Sequence, residues 1–187
     1  AGVGQGGLNG KIQSSQGFWL KANGPSVTTT VAEAAKVQEA LNGGVFGGDL
    51  QVVLPILRFK VSSTMNTFSD EATLVLDQGS PALDSLDAEK MDLHTDGAPG
   101  LTLLSSDDHE LSIDFGGALG PGTSIPLRMT AEVSGNYTIS ISSTVQSLSC
   151  ITLEDLVTGT LTPLTDGASY SFYTNATTSS DTARFLI

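Results

Sequence analysis

A chain of 187 residues with 20 Asp and Glu against 8 Lys and Arg carries a formal net charge of −12. That balance repels a nucleic-acid backbone and an anionic membrane surface, and no run reaches the ~18 apolar residues of a membrane span, so neither nucleic-acid binding nor direct membrane insertion is the expected role. Charged residues make up 15% of the chain, well under the roughly 25% usual in soluble domains, and Gly, Ser and Thr take their place, which favours strands and turns over charged helices.

The opening "AGVGQGGLNG" (residues 1–10) is Gly-rich and is expected to be a flexible segment. No charged-then-apolar leader stands there, the pattern of a chain that begins after processing or is cytosolic. The stretch "KIQSSQGFWLKANG" predicts two short strands with Phe18 and Leu20 on one face and Trp19 on the other, and the β-branched "VTTTV" predicts another. "VAEAAKVQEALNGG" is the one helical candidate, with Gly43 as its cap. "LQVVLPILRFKVSS" predicts a long apolar strand with an edge or bulge at Pro55. In "EATLVLD" the alternation places Ala72, Leu74 and Leu76 on one side of a half-buried strand.

Residues 78–99 form the longest stretch without a strand pattern and concentrate Asp84, Asp87, Asp92 and Asp96. Such loops are functional or carry a small helix. The strand rhythm resumes in "LTLLS", "HELSIDF", "SIPLRMTAEV" and "GNYTISISS", where Tyr137, Ile139 and Ile141 share a face, and continues through "ITLEDL", "GTLTPL", "SYSFYT" and "ARFLI". Roughly eleven to thirteen strand candidates at this spacing predict an all-β fold, a β-sandwich or jelly-roll-like domain with at most one or two short helices, spanning residues 11–187; the stop inside the apolar "RFLI" fits a natural end in a strand as well as truncation or continuation beyond 187.

The ordered series "SQGFWLKANG", "LRFKVSS", "SDEATLVLD", "LDSLDAEKM", "IPLRM", "SGNYTISIS", "ITLEDLVTGTLTPLTDGASYSFYT" and "DTARFLI" resembles the secreted or cell-surface β-sandwich module of Bacteroidetes-type bacteria, of the kind that precedes a type IX secretion C-terminal sorting domain. The sorting domain itself has no counterpart here. The resemblance implies an extracellular or cell-surface location, a supporting or adhesive role and no catalytic residues. It also implies that "LEDL…TGT…L" is a hairpin with a short acidic turn, that "D..RF.L" is the last strand, and that the triplets at Ser85 ("DSL") and Thr182 ("DTA") are O-glycosylation positions.

Reactive chemistry finds little support in the residues. His94 and His109 sit in acidic loops, the lone Cys150 reads as a buried small hydrophobe, and a zinc site needs three or four spaced N or S donors. No "GxSxG" elbow marks an acyl-transfer nucleophile, so the chain is expected not to be an enzyme and to need no cofactor. Calcium is the better metal reading, because it takes six to eight oxygen ligands from irregular loops. Asp84, Asp87, Asp92 and Asp96 offer one set, and Asp107, Asp108 and Asp114 a second. Neither follows an EF-hand, and solvated acidic loops remain the alternative. Trp19, Tyr170 and Tyr173 are the aromatics whose flat faces would stack on a pyranose ring. The expected role is therefore a non-enzymatic structural or adhesive module that associates with itself or with other surface proteins, a layer or filament subunit being one form of it. The alternative is a carbohydrate-binding accessory module of a secreted polysaccharide-degrading enzyme.

Overall fold

The computed structural model describes residues 24–28, 30, 54–91, 97–117, 120–145, 151–176 and 182–187. The chain divides into two units, Ala1–Val52 and Val53–Ile187, and the described fold is that of the second. The expected flexible segment 1–10, the strands around Trp19 and the helical candidate after Val31 lie outside the described residues.

Among the described residues there are eleven strands and no helix: β1 Ile56–Ser63, β2 Ser69–Val75, β3 Ala88–Glu89, β4 Gly100–Leu104, β5 Glu110–Asp114, β6 Pro126–Thr130, β7 Gly135–Ser143, β8 Thr152–Asp155, β9 Thr160–Pro163, β10 Ser169–Thr174 and β11 Phe185–Leu186. The expected all-β architecture is what the chain adopts. β1 begins directly after Pro55, with Leu54 and Pro55 outside it; proline contributes no ladder donor, and the residue ahead of it is sterically restricted. Residues 50–53 of the strand expected across that proline lie outside the described residues.

The strands run in the order β10-β7-β1-β2-β5-β4-β6-β11-β8-β9, with β3 added against β5. All neighbours are antiparallel except β2 and β5, whose parallel pairs are Thr73↔Ile113 and Leu74↔Asp114. Those two pairs join a β10-β7-β1-β2 half to a β5-β4-β6-β11-β8-β9 half. The halves fold face to face: β2 and β1 contact β4 without pairing to it, and Phe172 of β10 meets Phe185 of β11 edge-on with ring centroids 5.1 Å apart.

Period-two burial produces this arrangement. Leu57, Phe59 and Val61 of β1, Ala72 and Leu74 of β2, and Tyr137, Ile139 and Ile141 of β7 all point inward with at most 2% exposure. They meet Leu101, Leu103, Leu111, Leu127, Leu153 and Phe185 from the other half. Tyr137 keeps its polar end satisfied inside this core by donating from its hydroxyl to the Val133 carbonyl, 2.6 Å away, as a buried tyrosine must.

Candidate functional site

Three features of the described residues bear on function: a buried ion pair beside a cavity, the acidic loop before β4, and the outer edge of β10.

The β8–β9 connection is the hairpin expected of "LEDLVTGTLTPL". Asp155 ends β8 and pairs with Thr160. Its carbonyl accepts from the Thr158 and Gly159 amides, at 3.2 and 2.7 Å, and its carboxylate accepts from the Val157 amide at 3.0 Å. Gly159 holds φ at +69°, where glycine costs nothing and a Cβ would be strained. The same carboxylate, with its side chain fully buried, takes the Arg184 guanidinium at 3.1 Å and the Tyr170 hydroxyl at 2.9 Å. Burial alone would raise the Asp155 pKa; the hydrogen bonds from Arg184, Val157 and Tyr170 more than offset it and hold the carboxyl below its ordinary value. Arg184 also lies 4.2 Å over the Phe172 ring and donates to the Tyr173 carbonyl at 3.2 Å. A cavity of about 180 Å³ opens beside it, lined by Met129, Ala131, Val157, Thr174, Thr182 and Ala183 as well as Arg184. It is smaller than the roughly 300 Å³ at which ligand pockets begin.

In the acidic loop, Asp84 and Asp87 act as structural acceptors. Asp84 takes the Leu86 and Ser80 amides at 2.6 and 3.1 Å, while Asp87 takes those of Asp84 and Phe115, both at 2.8 Å. Asp107 does the same for Leu83 and for the Ser105 hydroxyl, at 2.9 and 2.6 Å, and these hydrogen bonds, that from Ser105 first, lower its pKa. Asp92 and Asp96 lie outside the described residues. Among the described residues no three His, Cys, Asp or Glu side chains gather closely enough to hold a metal ion. Further along the sheet, Glu71 reaches Arg58 and Lys60 as its position suggests, whereas Asp70 binds Lys90 at 2.6 Å and the Leu101 amide at 2.7 Å.

The predicted aromatics separate. Trp19 lies outside the described residues. Tyr170 faces inward; one face of its ring stacks on Phe172 at 5.8 Å and its edge meets Phe185, so it serves the core and not a free sugar platform. Tyr173 points outward, 59% exposed, with exposed Ser169 and Ser171 on the same face. Across from these three, on β7, stand Asn136, Thr138 and Ser140. Ser85 sits exposed in the turn before β3, and Thr182 is exposed at the cavity.

The two end strands differ in how they meet solvent. On β9, the Leu164 amide donates to Ile151. By antiparallel alternation Thr162 and Thr160 then face β8, leaving Leu161 and Pro163 facing outward. Pro163 has no donor, so this edge is blunted. On β10, Ala168 accepts from Ile141, so Tyr170, Phe172 and Thr174 bond β7, and the backbone groups of Ser169, Ser171 and Tyr173 face outward. "SYSFYT" contains neither charge nor proline. Arg184 covers the Tyr173 carbonyl alone. No family model, no curated protein and no solved structure matches the chain, so function is argued from this geometry.

Proposed function

We propose that the protein is a non-enzymatic structural or adhesive module, extracellular or at the cell surface, that associates with itself or with other surface proteins by adding a strand at the outer edge of β10. The observation that carries this reading is the contrast between the two end strands among the described residues: β9 is blunted by Pro163, while β10 is an uncharged, proline-free strand whose Ser169 and Ser171 backbone groups face outward beside the one covered carbonyl of Tyr173. An edge of that kind is a template for strand addition, with main-chain hydrogen bonds supplying affinity. Two copies meeting antiparallel at β10 would form a self-complementary, two-fold contact. The absence of charge on the strand lets copies that each carry −12 approach there, so association should strengthen as salt screens the remaining repulsion.

Ser171→Pro tests this, because it removes only an outward-facing donor and leaves the β7 ladder intact. In a two-fold pair the change counts twice, so the expected loss is about 2 kcal/mol, roughly thirtyfold in the association constant. Sedimentation velocity across a concentration series reads it, with far-UV circular dichroism confirming the fold. Leu161→Pro, the matching change on β9, should leave association untouched. Equal effects of both substitutions, or of neither, would remove the edge from the reading.

A carbohydrate-binding accessory role is the second reading, favoured by Tyr173, whose exposed ring stands opposite Asn136 on a face of serine and threonine hydroxyls. A ring face stacks on the apolar side of a sugar while neighbouring hydroxyls bond its rim. Tyr173→Ala should then abolish saturable binding on a glycan array without changing the oligomeric state. Binding that is unaltered by the substitution removes Tyr173 as the platform.

A further inference from the structure

Asp114 stands at the seam between the two halves of the sheet. It is the last residue of β5, paired with Leu74 in the parallel junction, and it is only 3% exposed. Its Oδ1 is buried without a hydrogen-bond partner. Apolar groups lie close by: a Cβ placed on Gly116 would lie 3.0 Å from Leu74 Cδ1, 3.3 Å from Ile125 Cδ1 and 3.6 Å from Asp114 Oδ1. The acidic loop presses on the next residue, since Asp87 accepts the Phe115 amide at 2.8 Å and a Cβ on Gly79 would overlap the Phe115 carbonyl. Charged groups on the packed elements are anionic. Asp84 and Asp87 face Asp114 from the loop, Asp77 follows β2 and Glu89 ends β3, while Lys90 is committed to Asp70 at 2.6 Å.

An ionised carboxylate held among apolar groups without a partner is costly, and the usual escape is to keep the proton. We propose that Asp114 is a proton-operated latch: neutral, it lets the β2–β5 junction and the loop over it close, and ionised, it loosens both. The device is independent of whether the β10 edge binds another chain or a glycan.

Burial first, and then the charges of Asp87 and Asp84, push the Asp114 carboxyl up to about 6 from its ordinary 3.8. The folded chain therefore holds this proton to a higher pH than the unfolded chain does. Its contribution to stability is undiminished below about pH 4, falls between about 4 and 6, and stays low above that. Asn is isosteric with the protonated form, so Asp114→Asn should match the wild-type chain near pH 4 and exceed it at pH 7.5.

Urea denaturation of the two chains at both pH values reads the difference. The ratio of their folding constants should rise by roughly a hundredfold between the two conditions, and hydrogen exchange at the Phe115 amide, corrected for its intrinsic pH dependence, should quicken with pH in the wild-type chain alone. A ratio that does not change with pH, or an Asn variant less stable at pH 7.5, overturns the latch. Carbon NMR of the wild-type Asp114 carboxyl tests it without any variant: a midpoint near 6 supports it and one near 4 overturns it. Millimolar calcium at pH 7.5 should leave the wild-type stability unchanged. A rise to the level of the Asn variant would mean that a cation and not a proton neutralises the group.

Discussion

Arg184→Ala is expected to lower stability by about 3–5 kcal/mol, because it strands a buried carboxylate. The Asp155 side chain is fully buried and that of Arg184 is 13% exposed, so the loss is not diluted by solvent as it is for the half-exposed pairs of Glu71 with Arg58 and Lys60. Removing the guanidinium leaves Asp155 with the Tyr170 hydroxyl and the Val157 amide as its hydrogen-bond donors, and it uncovers the Tyr173 carbonyl. Asp155→Asn paired with Arg184→Met should recover most of the loss, because a neutral pair needs no charge compensation. Urea midpoints of the two variants and the wild-type chain decide it: equal losses in Arg184→Ala and the double variant would mean that the ion pair itself contributes nothing specific.

Asp155 and Asp114 respond to pH in opposite senses. The Asp155 carboxyl is held below its ordinary 3.8 in the folded chain, so its contribution is present above that value and is lost as pH falls through the lowered one. Asp114 is raised, so its contribution is lost as pH rises from about 4 to 6. Both are fully stabilising only in a narrow range around pH 4. Acid is therefore expected to weaken the β8–β9 hairpin, and neutral pH the β2–β5 seam.

Much of the fold was legible because one physical rule generates it. In "LRFKVSS" and "GNYTISISS" the apolar residues alternate and are the buried ones; in "EATLVLD" Ala72 and Leu74 follow the rule, but Val75 is buried and Leu76 only half-buried. The hairpin was expected of "LEDL…TGT…L" from the resemblance, and its four-residue turn, 156–159, follows Asp155 and ends on Gly159. Asp114 was not legible. In "ELSID" the buried positions are Leu111 and Asp114 while Ile113 is 38% exposed, the reverse of simple alternation. The break lies in β5's own ladder: Ala88 pairs with Ile113 and Glu89 with Leu111, so β5 spends two residues on one of β3 and Ser112 is extra, and one extra residue in a ladder flips the side chains beyond it. Nor does any local pattern announce a pairing between Leu74 and Asp114, or an ion pair formed across residues 155 to 184. The first pair joins β2 to β5 across the two halves of the sheet, and the second needs β11 to lie between β6 and β8. Tyr170 was legible as an aromatic in a strand, but its inward orientation follows from its pairing with Ile139.

Phe185→Ala should cost a further 3–5 kcal/mol or thereabouts, the range for emptying a buried aromatic site. β11 has two residues, Phe185 and Leu186, so its ladder is short: Ile187 exchanges bonds with Ile125 at 2.9 and 3.0 Å, and the Arg184 carbonyl accepts from Leu156 at 2.9 Å. The side chain must therefore do most of the fastening. Phe185 is fully buried and meets Phe172 at 5.1 Å and Tyr170 at 6.2 Å, both edge-on, while Arg184 lies 5.3 Å from its ring. Those contacts are what hold β10 against the opposite half, so the cavity left by alanine should loosen β10 and expose its edge more often. Because Arg184 and Phe185 share Phe172, the double variant Arg184→Ala/Phe185→Ala should lose less than the sum of the single losses, by about 0.5–3 kcal/mol. Strict additivity in urea denaturation would mean that the ion pair and the aromatic cluster hold the halves together independently. A sub-additive result together with raised self-association of Phe185→Ala would tie the packing of this one ring to the exposure of the edge through which the module is proposed to assemble.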